Sequence, residues 1–166
     1  MRKAVWSGAA TAAAVLMMST AAFAQQTDSK SVSVTAQVNA KARLDLNAFS
    51  TSFDDPDPET VATYTAVTPI DVTVKARTSA AGAVTLTVQA SDDLKTTASD
   101  VIPIANLTWT ASGLTAGTMS KVSAVTIGSW SGPGTHNGTQ TYKLVNSWSY
   151  VTGTYTTSIT YTLTAP

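Results

Sequence analysis

The C-terminal stretch from Gly153 to Pro166, GTYTTSITYTLTAP, decides the fold of this chain. One parity of this stretch is polar, and the other carries Tyr155, Ile159, Tyr161 and Leu163, interrupted only by Thr157. An alternation of period two is typical of a β-strand with one buried face. Because such a strand needs partners, the pattern predicts a sheet built from earlier segments of the chain.

The N terminus has the three parts of a secretory signal peptide. Basic Arg2 and Lys3 precede an apolar run over 9–18, and Ala22-Phe23-Ala24 forms a cleavage site of the A-x-A type. The pattern predicts a signal peptide over 1–24 and export to the periplasm, the cell surface or the medium. The apolar run is shorter than the roughly 20 residues of a spanning helix, and no later segment is long enough, so no membrane span is expected after cleavage.

The mature chain, residues 25–166, has the length and composition of one all-β domain. Of its 142 residues 44 are Thr or Ser, a composition that favours strands with one wet face. Eight basic residues against ten acidic ones give no attraction for nucleic acid. The absence of cysteine excludes thiolate metal sites, thiol nucleophiles and disulfides, and no cofactor is expected.

Further alternating segments predict about eight short strands. These lie at 32–40 with a continuation to Leu46, and at 61–66, 70–76, 84–88, 102–110, 122–127, 139–145 and 155–163. Their number and spacing predict an immunoglobulin-like antiparallel β-sandwich, with a β-barrel as the alternative.

Three local features of the connections are also predicted. The segments 70–76 and 84–88, joined by a Gly-containing turn, are expected to form a hairpin. A change of parity near Ala105 indicates a β-bulge. The Gly-rich segment from Ser131 to Gly138 predicts a turn-rich crossing that contains His136.

Two of these strands resemble the WxL domain of bacterial cell-surface proteins. Val84-Thr85-Leu86 stands where that family has its first Trp-x-Leu motif, and Tyr161-Thr162-Leu163, shortly before Pro166, stands where it has the second. The resemblance implies a β-sandwich and an envelope setting. The family's motifs imply association with peptidoglycan. In this chain Val84 and Tyr161 stand in place of both motif tryptophans, so the resemblance supports the fold more than it supports wall binding.

The closing strand is also similar to that of spore-coat-U-like and alternative chaperone-usher pilus subunits. In those proteins the last strand often begins with Gly-x-Tyr and continues in alternation, as it does here from Gly153 to Tyr155. This likeness implies a fibre-forming role as the alternative to a binding role.

The acidic segment contains Asp54, Asp55, Asp57 and Glu59 between prolines. Carboxylate oxygens are ligands that calcium prefers, but the spacing lacks the glycine and distal glutamate of an EF-hand loop. Solvation of an exposed loop and protection of a sheet edge explain the acids equally well. No residue is therefore assigned to a metal site, and these four remain weak calcium candidates.

Aromatic side chains are the remaining candidates for a binding site. Trp130, Trp148 and Tyr150 are candidate glycan contacts, whereas Trp109 is expected in the core. His136 is the only histidine, and no G-x-S-x-G segment accompanies it, so no catalytic triad is expected.

These observations favour a non-catalytic exported β-sandwich with a binding or structural role at the cell envelope. Its expected partners are a cell-wall glycan or another envelope protein. The alternative is a pilus-like subunit that self-assembles by exchanging the strand Val32–Ala40. A hydrolase that uses the acidic loop is a third and weaker hypothesis.

Overall fold

The computed structural model describes residues 28–166, so the predicted signal peptide over 1–24 lies outside the described part. The compact β unit extends from Gln37 to Pro166, and its boundary lies after Ala36. Residues 28–166 contain no helix that is long and apolar enough to cross a bilayer.

Eleven strands and one 3₁₀ turn form the described chain, and eight of the strands have three or more residues. The strands are β1 (Lys41–Leu46), β2 (Thr63–Thr65), β3 (Ile70–Arg77), β4 (Ala83–Ala90), β5 (Leu94–Lys95), β6 (Val101–Ile102), β7 (Leu107–Ser112), β8 (Gly117–Thr118), β9 (Val125–Ser131), β10 (Gly134–Val145) and β11 (Ile159–Thr164). The predicted immunoglobulin-like antiparallel β-sandwich is confirmed.

Two antiparallel sheets pack face to face. The first has the order β1-β3-β10-β7-β8, with β2 also paired to β10, and the second has the order β11-β4-β9. A small ribbon is formed by β5 and β6. The core lies between the sheets, and its most buried apolar side chains are Val72, Val74, Val84, Leu86, Val88 and Ile127. Alternate residues of β3 and β4 supply most of this set, as expected for strands with one buried face.

The hairpin predicted for 70–76 and 84–88 is wrong, because β3 and β4 belong to different sheets. Their apolar faces pack against each other across the core instead of lying side by side. Alternation shows which face is buried but not whether the partner lies beside it or opposite it. The connection turns tightly at Gly82, where a Cβ atom would lie 2.1 Å from Oγ1 of Thr78.

The strand predicted for Val32–Ala40 is also wrong, because residues 28–40 form no strand and are exposed. Val32, Val34 and Val38 are 86%, 88% and 68% exposed. Alternation produces a strand only where a sheet edge supplies main-chain partners, and β3 receives its neighbour only from Lys41 onward.

Two predicted connections also differ. The parity change near Ala105 is the 3₁₀ turn Ile104–Asn106 and not a bulge. The predicted crossing over 131–138 is reduced to Gly132 and Pro133, since β10 begins at Gly134. Glycine later in that segment serves close packing: a Cβ atom on Gly138 would lie 2.4 Å from Cγ of Leu114.

Two predicted strands are shorter than expected. The strand predicted over 122–127 starts only at Val125, and Val122 is exposed. The closing strand β11 starts at Ile159, which leaves Tyr155 in the preceding loop. Its predicted buried face is only half-buried, because β11 is an edge strand of the second sheet.

Candidate functional site

A groove of about 1150 Å³ opens between the two sheets, at the end of the sandwich where β1 ends. We call it the intersheet groove. Its floor contains apolar side chains of both sheets and of the β5–β6 ribbon, namely Ile70, Leu94, Ile102, Leu107, Leu144 and Ile159. Two loops, over 48–58 and 146–158, form its walls. The sandwich is therefore open at this end, with core side chains at the base of the opening.

The predicted acidic residues lie on the first of these loops, except for Glu59 directly after it, and all four are exposed. They are used in separate contacts: the Tyr64 hydroxyl donates to Asp55 at 3.0 Å, and Trp148 Nε1 donates to Glu59 at 3.0 Å. An Asp57 carboxylate oxygen accepts the main-chain N–H of Glu59 at 2.9 Å. Between residues 28 and 166, no three His, Asp or Glu side chains are grouped so as to hold a metal ion. We call the segment 54–59 the acidic loop.

Tyr64 links this loop to β2. Burial, followed by the hydrogen bond to Asp55, raises the pKa of Tyr64 to about 12. The phenol therefore remains a neutral donor at any physiological pH, and its ring packs at a tilt against Phe53, with the ring centres 6.3 Å apart.

Asn146 fixes the acidic loop to the end of β10. Its Nδ2 atom donates to the carbonyl oxygens of Pro56 and Val61, at 2.9 Å each. The side chain is buried, which is unusual for asparagine without such partners. Sequence reasoning did not identify this residue, because an asparagine after a strand is also an ordinary loop residue.

The three aromatic glycan candidates do not form one site. Trp148 is 69% exposed and lines the intersheet groove together with Tyr150, whose hydroxyl accepts a hydrogen bond from Asn106 Nδ2 at 2.9 Å. Trp130 lies near the end of β9, at the opposite end of the sandwich. Only Trp148 and Tyr150 can therefore act together.

His136 lies in β10 and stacks on Trp130, with ring centres 4.5 Å apart and an angle of 9° between the planes. Its Nε2 atom is buried without a hydrogen-bond partner among residues 28–166. A general base needs a nucleophile and an orienting acid within hydrogen-bond reach, and the stack supplies neither.

The four motif positions lie on two paired strands. Leu163 is directly opposite Leu86, and Tyr161 is opposite Val88, in the β4–β11 pair. Val84 and Leu86 are completely buried, and the Tyr161 hydroxyl is 2.7 Å from that of Tyr142 in the first sheet. These positions therefore contribute to the core and to the contact between sheets.

Trp109 is buried in β7, which confirms its prediction as a core residue. Its Nε1 atom donates to the carbonyl oxygen of Thr115 at 2.8 Å, so its one polar atom has a partner.

Comparison with protein-family models and with curated proteins finds no match to this chain.

Proposed function

We propose that the mature chain is a non-catalytic, exported envelope protein that assembles with copies of itself by strand addition. In this proposal the segment Val32–Ala40 of one copy enters the intersheet groove of the next and pairs with its edge strand β11. The resemblance to envelope and fibre proteins agrees with this role.

The observation that carries the proposal is the exposed segment itself. Its five alternate apolar residues, from Val32 to Ala40, would lie on one face of an extended strand, and the intervening residues are all polar. The three valines among them are almost fully exposed. An alternating segment of this kind gains buried apolar area and main-chain hydrogen bonds when it joins a sheet edge.

The intersheet groove supplies a matching acceptor. In the described chain β11 is paired on one side only, with β4. A strand added on its other side would extend the second sheet and place its inward-facing side chains beside Ile159 and Tyr161, which line the groove. Its polar face would then point to solvent, as the alternation of the segment requires.

The test compares two faces of the same segment. Val32, Val34 and Val38 are changed together to Asp, and the matched control changes Ser33, Thr35 and Gln37 together to Asp. Both proteins are purified after export, and their mass is measured by light scattering over a range of concentrations. We expect wild type and control to form multimers, and the valine variant to remain monomeric with an unchanged thermal midpoint.

Hydrogen exchange provides the second readout. Amides of residues 32–40 and of β11 should gain protection as the protein assembles. A wild-type protein that remains monomeric at all concentrations, or equal assembly by both variants, would contradict the proposal.

The exposed Trp148 favours glycan binding as a second candidate function. Its ring is held at the groove by the bond to Glu59, and Tyr150 lines the same groove, so both rings are available for stacking on a sugar. Retention on purified peptidoglycan should be lost in Trp148→Ala and kept in Trp130→Ala. Equal retention of both variants would count against this site.

A further inference from the structure

Four cations form a patch on the outer face of the first sheet. Lys41 of β1 is directly opposite Arg77 of β3, and Arg43 is opposite Lys75. Directly opposed residues of antiparallel strands project to the same face. All four side chains line one shallow depression, which also includes Thr135 of β10. We call this set of four residues the basic patch.

The patch is poorly neutralised within its own molecule. Arg43 pairs with Asp45 at 2.8 Å, but Lys41, Lys75 and Arg77 have no ion pair with any residue of 28–166. Like charges directly opposite each other destabilise a strand pair. Half of the eight basic residues of the mature chain are nevertheless concentrated here. Folding of the isolated domain does not explain this arrangement.

The acidic loop has the complementary property at the other end of the sandwich. Its four carboxylates are exposed, and none forms an ion pair within the described residues. The chain passes from Lys41 to Leu46 along β1 before it reaches this loop. The two charged surfaces therefore lie toward opposite ends of one molecule and cannot neutralise each other within it.

We propose that the basic patch docks on the acidic loop of a second copy of this chain, in a head-to-tail contact. The inference rests on the proposed strand addition and adds a polar contact beside it. Because the two surfaces differ, the contact is heterologous, and repeating it produces an open filament or a ring. The charges would set the order and register of the copies.

The order of these segments along the chain favours a second copy of the protein over a free anion as the partner of the basic patch. The proposed donor segment ends at Ala40, and the basic patch begins at the next residue, Lys41. The acceptor groove is lined in part by Asp54, Asp55 and Asp57 of the acidic loop. We take the inserted segment to run antiparallel to β11, which places its Ala40 at the Ile159 end of that strand. Since consecutive Cα atoms are only about 3.8 Å apart, Lys41 and the patch then lie at the rim that carries these acids.

The test uses charge reversal on each surface of the full mature chain. One variant combines Lys75→Glu with Arg77→Glu, and the other combines Asp54→Lys with Asp55→Lys. Each alone should raise the concentration needed for assembly by about tenfold or more. An equimolar mixture should assemble near the wild-type concentration. The reversed patch of the first variant then meets the reversed loop of the second, and the unchanged patch of the second meets the unchanged loop of the first.

Salt and the reversal of a cation outside the basic patch serve as controls. Assembly of the wild type should weaken at 1 M salt, where the Debye length is only about 3 Å. Lys143→Glu, which reverses a β10 cation that also lacks an ion pair among residues 28–166, should assemble like the wild type.

The outcomes separate this contact from strand addition. If the valine variant abolishes assembly while both charge reversals assemble normally, the charged contact is wrong and strand addition stands. If the mixture fails to restore assembly, head-to-tail pairing of these two surfaces is wrong. Loss of binding to an acidic polysaccharide by Lys75→Glu/Arg77→Glu, with normal assembly, would assign the patch to an anionic glycan and overturn the proposal.

Discussion

Gln140 is a polar side chain in the middle of the core. It lies in β10 between β3 and β7 and is completely buried. Within the described chain its amide nitrogen and oxygen have no hydrogen-bond partner. A buried amide without partners costs stability, and an apolar side chain of similar shape avoids that cost.

Replacing Gln140 by Met should therefore stabilise the domain, by about 1 kcal/mol. The measurement is the free energy of unfolding in urea at neutral pH. Gln140→Glu is the matched control, and it should destabilise because it adds a buried charge. A Met variant less stable than wild type would mean that the amide has a partner in solution.

Tyr142 and Tyr161 join the two sheets through their hydroxyl groups. Burial raises the pKa of both phenols, most strongly that of Tyr142. A raised pKa in the folded state means that the unfolded chain loses the proton first. The neutral pair therefore stabilises the fold fully below about pH 10, the ordinary pKa of tyrosine, and this contribution is lost as the pH rises further.

Wild-type thermal stability should fall as the pH rises above about 10. In the double variant Tyr142→Phe/Tyr161→Phe the fall should be smaller, because neither ring can ionise. At pH 7 the double variant should be close to wild type, since both partners of the bond are removed together. Parallel alkaline profiles for the two proteins would contradict this prediction.

At the scale of elements, a group of ion pairs holds the segment after β4 to its neighbours. We call its four residues, Asp92, Asp93, Lys95 and Lys121, the charged clamp. Lys121 Nζ lies 2.5 Å from Asp93 and 3.3 Å from Asp92, and Lys95 also pairs with Asp92. The other carboxylate oxygen of Asp93 accepts the Ile104 N–H at 2.9 Å. The clamp therefore connects the ends of β4, β5 and β8 to the 3₁₀ turn.

The clamp should make the domain sensitive to acid. The hydrogen bond from Lys95 is the main cause that lowers the pKa of Asp92 to about 2, and Lys121 lowers the pKa of Asp93. Since these pKa values are lower than in the unfolded chain, the ionised carboxylates stabilise the fold above about pH 4. That contribution is lost as the pH falls from 4 toward 2.

Calorimetry at pH 2, 3, 4 and 5 tests this expectation. The thermal midpoint of wild type should fall steeply below pH 4, and that of Asp92→Asn/Asp93→Asn should fall less. Asp54→Asn, on a loop without ion pairs in the described chain, is the matched control and should follow wild type. The prediction is wrong if the double variant has the same acid slope.

At the scale of the whole molecule, the β unit begins at Gln37, and residues 28–36 form no strand. Removing residues 25–36 should therefore leave the thermal midpoint of the monomer within about 2 °C of wild type. The measurement is made below the concentration at which wild type assembles. Removing residues 25–46 is the contrasting change, and it should destabilise strongly because β3 loses its partner β1. Unfolding of the shorter deletion would show that the segment 25–36 belongs to the fold.

Part of this structure was predictable from alternation alone. The all-β class, the number of longer strands, the buried parity of β3 and β4, and Trp109 in the core all follow from residue type and period. These features depend on whether a side chain prefers water, which is a local property of the sequence.

Pairing and position were decided only by the tertiary structure. The same alternation forms a core strand at Val84–Val88 and an exposed segment at Val32–Ala40. Only the first segment is paired with a neighbouring strand on each side. The closing stretch predicted a buried face, and the fold leaves that face half-open along the intersheet groove. The basic patch arises because β1 and β3, some 30 residues apart in sequence, pair in one register. A local pattern contains no information about which distant segment will lie opposite it.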